Sequence, residues 1–179
     1  MITTTLNAIR EQSPCADGWT KLLKHLGKTA ADDEPLPFVT ILDSNGLDDA
    51  LWCTRAAPEH AKIWRLYAVW CARQVQHLMT DPRSLAALDI AERHAHGLAT
   101  DEELEAARDA PWAASAAQGA LWAADKHSAS AARAARSAAW AAARDEAEDA
   151  ARAARDAAWV AARDAQIAEF RRIVMETAV

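Results

Sequence analysis

An alanine-rich run over residues 109–168 constrains this chain more than any other feature. About half of its residues are alanine. Alanine has the highest helix propensity of all residues, so the run predicts α-helix and excludes a β-strand. One continuous helix of about 60 residues would reach ~90 Å at 1.5 Å per residue, far beyond a globule of this mass. The run therefore predicts at least two helices that fold back on each other, with breaks near residues 127–130 and 148–149.

Tryptophans interrupt this run in a repeating pattern. The motif Ala-Ala-Trp-Ala-Ala-Ala-Arg-Asp around Trp140 recurs 19 residues later around Trp159, with valine in place of one alanine. At about 100° per residue this shift turns the pattern by about 100°, so the two rings do not share a face of one straight helix. In stacked or antiparallel helices, each ring can lie across an alanine-lined neighbour. We therefore expect a set of tryptophans to act as packing residues: Trp64, Trp70, Trp112, Trp122, Trp140 and Trp159.

These patterns predict an all-α fold. A chain of 179 residues is long enough for one well-packed domain, so we expect a single compact domain of stacked antiparallel helices over residues 1–179. Residues 1–99 supply amphipathic helices and an acidic loop. Residues 100–179 form an alanine- and tryptophan-rich repeat region, folded back as a hairpin or a three-helix layer.

Capping signals predict where the first helices begin and end. Thr5 is expected to cap a short helix, and Ser13 to cap a second helix with Pro14 at its first position. Gly27 provides the left-handed residue with which the second helix ends. A longer apolar pattern over residues 58–79 predicts the central helix of the core.

Two further signals follow the central helix. A helix is expected from Pro82 to His96, with Gly97 as its stop. Thr100 and Glu103 form a capping box, because the hydroxyl can accept the amide of Glu103 while the carboxylate reaches back to the cap.

Residues 32–49 are the most acidic part of the chain and contain no lysine or arginine. Within them, residues 38–42 fit either a short strand or a single helical turn after Pro37. No second strand signal accompanies them, which favours the helical turn. The acidic residues are either a solvated loop or a docking surface for a basic partner. The candidate partner-binding residues are Asp32, Asp33, Glu34, Asp43, Asp48 and Asp49.

Charge and hydropathy argue against direct nucleic-acid binding and against a membrane-spanning chain. The formal net charge of -6 argues against nucleic-acid binding by phosphate neutralisation, which needs a basic face. No apolar run approaches the ~20 residues of a membrane span, and the N-terminal residues lack the features of a signal peptide. We therefore expect a cytoplasmic protein. Cys15, Cys53 and Cys71 form no CxxC motif and are interpreted as buried small hydrophobes in a reducing compartment.

Candidate chemistry in the sequence is weak. His94 and His96 would point nearly opposite ways on a helix, and no further ligand completes a metal site. Cys53 and Cys71 lie on apolar helix stripes, which favours core packing over a thiol dyad with histidine. The solitary glycine of residues 44–46 is too little for a phosphate-binding turn. We expect no enzyme activity, no catalytic residue, no metal and no cofactor.

Four motifs give the chain a resemblance to a known family: Tyr67-Ala-Val-Trp70-Cys-Ala-Arg73, Thr100-Asp-Glu-Glu-Leu104, the Ala-Ala-Trp-Ala-Ala-Ala-Arg-Asp tract and Ala165-Gln-Ile-Ala-Glu-Phe170-Arg-Arg. Over roughly residues 43–173 they resemble the alanine- and tryptophan-rich immunity proteins of bacteria and their phages. The resemblance implies an all-helical, non-enzymatic protein that acts by binding. An immunity protein stops a toxin by covering it, and the acidic balance suits a basic toxin such as a nuclease.

We therefore expect a protein-binding module of the immunity, or antitoxin-like, type. One alternative is a phage-encoded inhibitor of a host defence or nucleic-acid enzyme, with carboxylates in place of DNA phosphates. A second alternative is a structural protein whose alanine- and tryptophan-rich helices pair between copies as a homo-oligomer. The expected partner is another protein, and neither nucleic acid nor a membrane is expected to bind directly.

Overall fold

The computed structural model describes residues 1–78, 82–108 and 148–176. In these ranges the chain forms eight α-helices and one sheet of two very short strands, so the predicted all-α fold is confirmed. The predicted breaks near residues 127–130, with Trp112, Trp122 and Trp140, lie outside the described residues. The chain divides into two compact units, Met1–His60 with Glu169–Val179, and Ala61–Ala168. The single domain expected from the sequence stays a prediction.

The helices follow one another along the chain with short connections. Their bounds are Leu6–Glu11 (α1), Ala16–Leu26 (α2), Phe38–Asn45 (α3), Leu47–Cys53 (α4), Ala61–Gln74 (α5), Pro82–Ala95 (α6), Asp101–Arg108 (α7) and Glu148–Glu176 (α8). The strands are Thr3–Thr4 (β1) and Leu36–Pro37 (β2). The central helix α5 is shorter than predicted, because 3-10 turns at Pro58–His60 and Gln76–Leu78 flank it.

The core of the first unit contains side chains from both ends of the chain. Phe38 of α3 and Phe170 of α8 are fully buried and meet edge to face, with ring centroids 6.4 Å apart. Aromatic pairs prefer this arrangement because the positive ring edge meets the negative ring face. The other large, fully buried side chains of this unit are Ile2, Leu6, Ile9, Ile41, Leu47 and Val174.

The N-terminal residues link α3 to the end of α8. Strand β1 pairs antiparallel with β2. The backbone N–H of Ile2 donates to the Val174 carbonyl at 2.7 Å, and the N–H of Phe38 donates to the Ile2 carbonyl at 3.1 Å. The helical turn predicted after Pro37 is confirmed, since α3 begins there. The two-residue strand β2 was not predicted, because so short a segment shows no alternation.

Three predicted caps are confirmed. The Thr5 hydroxyl accepts a hydrogen bond from the Ala8 N–H at 3.0 Å and starts α1. Gly27 ends α2 with a left-handed φ of 65°. The Thr100 hydroxyl accepts from the Glu103 N–H at 3.2 Å, and the Glu103 carboxylate accepts from the Thr100 N–H at 2.8 Å. Local capping chemistry thus sets these helix ends as the sequence predicts.

The predicted cap of α2 is wrong. The N-cap is Cys15, whose sulfur accepts a hydrogen bond from the Gly18 N–H at 3.4 Å. Ser13 has a φ of 58°, and its N–H donates to the Arg10 carbonyl at 3.0 Å. Ser13 therefore closes the turn after α1 and does not have the extended backbone that an N-cap needs.

Gly46 joins α3 to α4 with a φ of 93° and a ψ of 178°, a conformation that essentially only glycine adopts. A Cβ at this position would meet no atom within 4 Å. We therefore expect Gly46→Ala to lower the free energy of unfolding by about 1–3 kcal/mol through backbone strain alone. Chemical denaturation measures this loss.

Gly27→Ala is the matched control for this prediction. The space around Gly27 is equally open, but its backbone lies in the left-handed helical region. Alanine adopts that region at a cost of roughly 1–2 kcal/mol, toward the lower end of the range expected for the Gly46 backbone. A loss for Gly46→Ala no larger than that for Gly27→Ala would contradict the assignment of strain to Gly46.

The second unit is organised around α5. Tyr67 is fully buried, and its ring stacks on Trp70 with centroids 6.3 Å apart. The Tyr67 hydroxyl donates to the Gln166 carbonyl of α8 at 3.2 Å. Trp64 is buried, whereas Trp70 and Trp159 are half-buried. The described tryptophans of the predicted packing set thus bury all or part of their rings in this unit.

Arg73 connects α5 with α6. Its guanidinium donates to Asp89 at 2.6 Å and to Glu92 at 3.1 Å. Burial lowers the pKa of Arg73, but the hydrogen bonds to the two carboxylates outweigh it and leave the pKa raised. The half-buried cation is therefore stabilised by two charge-assisted contacts.

Candidate functional site

The first part of the predicted acidic surface folds onto a lysine. Asp32 and Glu34 accept hydrogen bonds from the Lys28 ammonium at 2.5 and 2.6 Å. These hydrogen bonds raise the pKa of Lys28, and Lys28 in turn lowers the pKa of Asp32. Asp33 accepts a hydrogen bond from the Asn7 side chain at 2.9 Å. Lys28, which forms ion pairs with Asp32 and Glu34, thus lies before the acidic residues in the sequence.

The remaining predicted carboxylates lie on helices. Asp43 of α3 forms an ion pair with Arg171 of α8, which raises the pKa of Arg171. Asp48 and Asp49 occupy the first turn of α4, where the helix dipole favours negative charge. The structure therefore groups Asp48 with Asp49 and pairs Asp43 with a basic residue of this chain. The predicted docking surface as a whole stays a prediction.

A pocket with a volume of about 140 Å³ lies in the first unit where α1, α2, α3 and α4 meet. Each of α2, α3 and α4 contributes residues three or four positions apart, which places them on one face of their helix. The walls are mostly apolar. The lining residues are Ile9, Pro14, Cys15, Gly18, Trp19, Leu22, Ile41, Asn45, Asp49, Trp52 and Cys53.

Asn45 forms hydrogen bonds to two other residues that line this pocket. Its side-chain amide donates to the Gly18 carbonyl of α2 at 2.9 Å and to the Asp49 carboxylate of α4 at 2.8 Å. Its side-chain oxygen accepts a hydrogen bond from the Ser44 hydroxyl at 2.7 Å. One asparagine at the end of α3 thus fixes both neighbouring helices and orients the carboxylate of Asp49.

Gly18 allows α2 to approach Asp49 closely. A Cβ at position 18 would lie 2.9 Å from the Asp49 carboxylate oxygen and 3.1 Å from the Cys15 sulfur. Real Cβ atoms essentially never come within 3.0 Å of another atom, so the carboxylate oxygen of Asp49 would have to shift. Because Gly18 has no side chain, the Asp49 carboxylate and the Cys15 thiol can both lie close to the α2 backbone beside the pocket.

The ring of Trp52 is in contact with the side chain of Arg55. The Arg55 guanidinium carbon lies 4.5 Å from a ring centroid of Trp52, a distance typical of a cation–π contact. The Arg55 side chain also donates to the Trp52 carbonyl at 3.0 Å. Arg55 itself is not among the residues that line the pocket.

The three cysteines differ in exposure. Cys53 and Cys71 are buried as predicted, but Cys15 is exposed, so the prediction of three buried thiols is wrong for it. The reason is its capping role, which places Cys15 at the helix end and beside the pocket. Burial, followed by the nearby charge of Asp49, raises the pKa of Cys53 to about 12. The Cys53 thiol is therefore protonated at neutral pH and is a poor nucleophile.

We expect Asn45→Ala to lower the free energy of unfolding by about 1–2 kcal/mol, because a half-buried carbonyl and a carboxylate each lose a donor. Ser44→Ala is the control. It removes a hydroxyl that donates to the Asn45 side-chain oxygen at 2.7 Å and lies 3.2 Å from the Ile41 carbonyl, but it leaves both amide hydrogen bonds in place. Urea denaturation measures the two losses, and a larger loss for Ser44→Ala would contradict the role assigned to Asn45.

Other candidate chemistry does not converge on a site. His94 pairs with Asp101 through its Nε2 at 2.8 Å. In the part of the chain that the structure describes, no three histidine, cysteine, aspartate or glutamate side chains are grouped as metal ligands. Among the described helices, none combines the length and the apolar character that a membrane crossing requires.

Sequence reasoning missed most of the pocket. Of the predicted partner-binding residues, Asp49 lines the pocket, and so does Asn45 of the turn at residues 44–46. Asn45 bridges helices with its amide, and Gly46 supplies the backbone that lets α4 begin directly after α3. The pocket can hold one group of ring size, with apolar contact on most sides and a carboxylate at one side.

Comparisons with protein-family models, with curated proteins and with solved structures found no match.

Proposed function

We propose that this chain is a non-enzymatic protein-binding module that neutralises a protein partner by direct binding, as immunity proteins do. The pocket between α1, α2, α3 and α4 carries the proposal. Drug-sized ligands and cofactors occupy pockets of roughly 300–1,000 Å³. An apolar cavity of ~150 Å³ holds a single benzene ring, which is close to the 140 Å³ of this pocket. A space for one side chain suits the anchor residue of a protein partner.

The charge of the chain supports a basic partner. The formal net charge is -6, and the half-buried carboxylate of Asp49 lines the pocket. Complementary charge steers the encounter of two proteins and selects among partners. The resemblance to alanine- and tryptophan-rich immunity proteins accords with a toxin, such as a basic nuclease, as that partner.

The test is affinity capture from the native host with the pocket open or blocked. Cys15 is exposed beside the pocket while Cys53 and Cys71 are buried, so a bulky disulfide-forming reagent is expected to react at Cys15. We expect the untreated bait to capture a basic protein, the blocked bait to lose it and reductant to restore it. A Cys15→Ser bait is the control, and it should capture the same protein with or without the reagent.

The captured protein then tests neutralisation. Expressed alone it should impair growth, and expression together with this chain should restore growth. A partner that remains fully active in the complex would contradict the proposal, and so would capture that ignores the block. Recovery of only copies of this chain would favour the structural alternative, which mass measurements at several concentrations would then test. Competition between DNA and this chain for the partner would favour the inhibitor that mimics phosphates.

A further inference from the structure

The carboxylate of Asp49 combines partial burial with a position in the wall of the pocket. Asp32, Glu34 and Asp43 each form an ion pair with a lysine or arginine of this chain. Asp49 is half-buried and receives a hydrogen bond from the Asn45 amide. In the part of the chain that the structure describes, no basic side chain forms an ion pair with Asp49.

A half-buried carboxylate gains most from a cation that arrives with its own hydrogen-bond donors. Charge-assisted hydrogen bonds are stronger than neutral ones, and their strength rises as water is excluded. Because Asn45 donates to one oxygen of Asp49, the carboxylate has a fixed position before a partner arrives. The pocket therefore has an anchoring point for a cationic group, and the chain itself is acidic overall.

The rest of the pocket suits an apolar stem and a flat cation. Trp19, Trp52, Leu22 and Ile41 line it. Arginine lies with its methylene stem along apolar surface, and its planar guanidinium stacks on aromatic rings while it binds carboxylates in a fork. A lysine ammonium has neither the plane nor the fork.

Building on the proposed function, we propose that the pocket between α1, α2, α3 and α4 receives an arginine side chain of the partner, with its guanidinium against the carboxylate of Asp49. The occupant is thus a basic protein segment that presents one arginine. Asn45 acts as a positioning residue, since it orients Asp49 and does not itself need to contact the arginine.

The test uses the full chain and three small probes: N-acetyl-arginine amide, its uncharged analogue N-acetyl-citrulline amide, and N-acetyl-leucine amide. The indole N–H signals of Trp19 and Trp52 in NMR spectra report binding at the pocket. For a probe of this size we expect a dissociation constant on the order of 1 mM for the arginine probe. Citrulline has almost the same shape without the charge, and we expect it to bind about tenfold more weakly.

Two variants separate the pocket from general attraction to an acidic surface. Asp49→Asn keeps the acceptor for Asn45 but removes the charge, and we expect it to weaken the arginine probe about tenfold. Asp17→Asn removes one charge from an exposed position of α2 outside the pocket. It should leave the dissociation constant within about twofold, because exposed charges are screened by salt.

Each other outcome overturns the arginine assignment. Equal binding of the citrulline probe would show that charge does not matter, and tighter binding of the leucine probe would assign the pocket to an apolar side chain. An arginine probe that binds equally to Asp49→Asn binds elsewhere. If the probes fail while partner capture still depends on the blocked Cys15, the protein-binding function stands and only the arginine assignment falls.

Discussion

Replacing Phe170 by alanine is expected to lower the free energy of unfolding by about 3–5 kcal/mol, the usual cost of removing a fully buried phenylalanine. The ring is fully buried and lies edge to face against Phe38, and the neighbouring Val174 is also fully buried. Alanine is a better helix former than phenylalanine, so the change in helix propensity alone would stabilise α8. The expected loss of stability therefore comes from the lost burial of the ring. Urea denaturation measures the change.

Val160→Ala is the control on the same helix. Val160 is 54% exposed, so its truncation is expected to change stability by no more than about 0.5 kcal/mol. Hydrogen exchange of the Ile2 amide gives a local measurement, because that N–H donates to the Val174 carbonyl. We expect Phe170→Ala to speed this exchange and Val160→Ala to leave it unchanged. Unchanged exchange in Phe170→Ala would contradict the assignment of this ring to the core of the first unit.

The sequence predicted those features of the fold that depend on a few neighbouring residues. The hydroxyl of Thr5, the left-handed Gly27 and the capping box at Thr100 act on backbone groups within four positions. Their chemistry is therefore visible in a short window of sequence. The same holds for the helical content, because alanine and the spacing of apolar residues act locally.

Contacts between distant residues were not predictable in this way. Ile2 meets Val174, and Asp43 pairs with Arg171, which lies 128 positions further along the chain. No local pattern specifies such pairs, because they depend on which helices and strands pack together in the folded chain. The exposure of Cys15 escaped prediction for a related reason. Cysteine is usually a buried residue, but here the turn at Ser13 is followed by Cys15 as the N-cap of α2, at an exposed position.

The acidic segment illustrates how local and distant information combine. Its composition correctly marked the carboxylates, but their roles depend on cations outside the segment, namely Lys28 and Arg171. Among the predicted carboxylates, Asp49 lines the pocket and accepts a hydrogen bond from the neutral amide of Asn45. The pocket therefore distinguishes Asp49, since Asp33 also contacts a neutral amide, that of Asn7, but does not line the pocket.

Alkaline pH is expected to destabilise the protein through Cys53. Burial raises the pKa of this thiol from 9.0 to about 12. In the unfolded chain the thiol ionises near pH 9, whereas in the folded chain it keeps its proton up to about pH 12. The folded state therefore binds more protons in this window, and the contribution to stability falls by about 1.4 kcal/mol per pH unit. Below pH 9 the contribution is fully present, and by pH 12 it is lost, a change of about 4 kcal/mol.

Cys53→Ala and Cys53→Val isolate this effect from the titration of other groups. Neither side chain ionises, so both variants should show a shallower loss of stability between pH 9 and pH 12 than the natural chain. They differ from each other in size, which shifts the whole stability curve without changing its slope. Urea denaturation at a series of pH values measures the slopes, and NMR of cysteine labelled with ¹³C at Cβ follows the thiol directly. Equal slopes in the natural chain and in both variants would mean that Cys53 ionises alike in the folded and unfolded states, and the raised pKa would then be wrong.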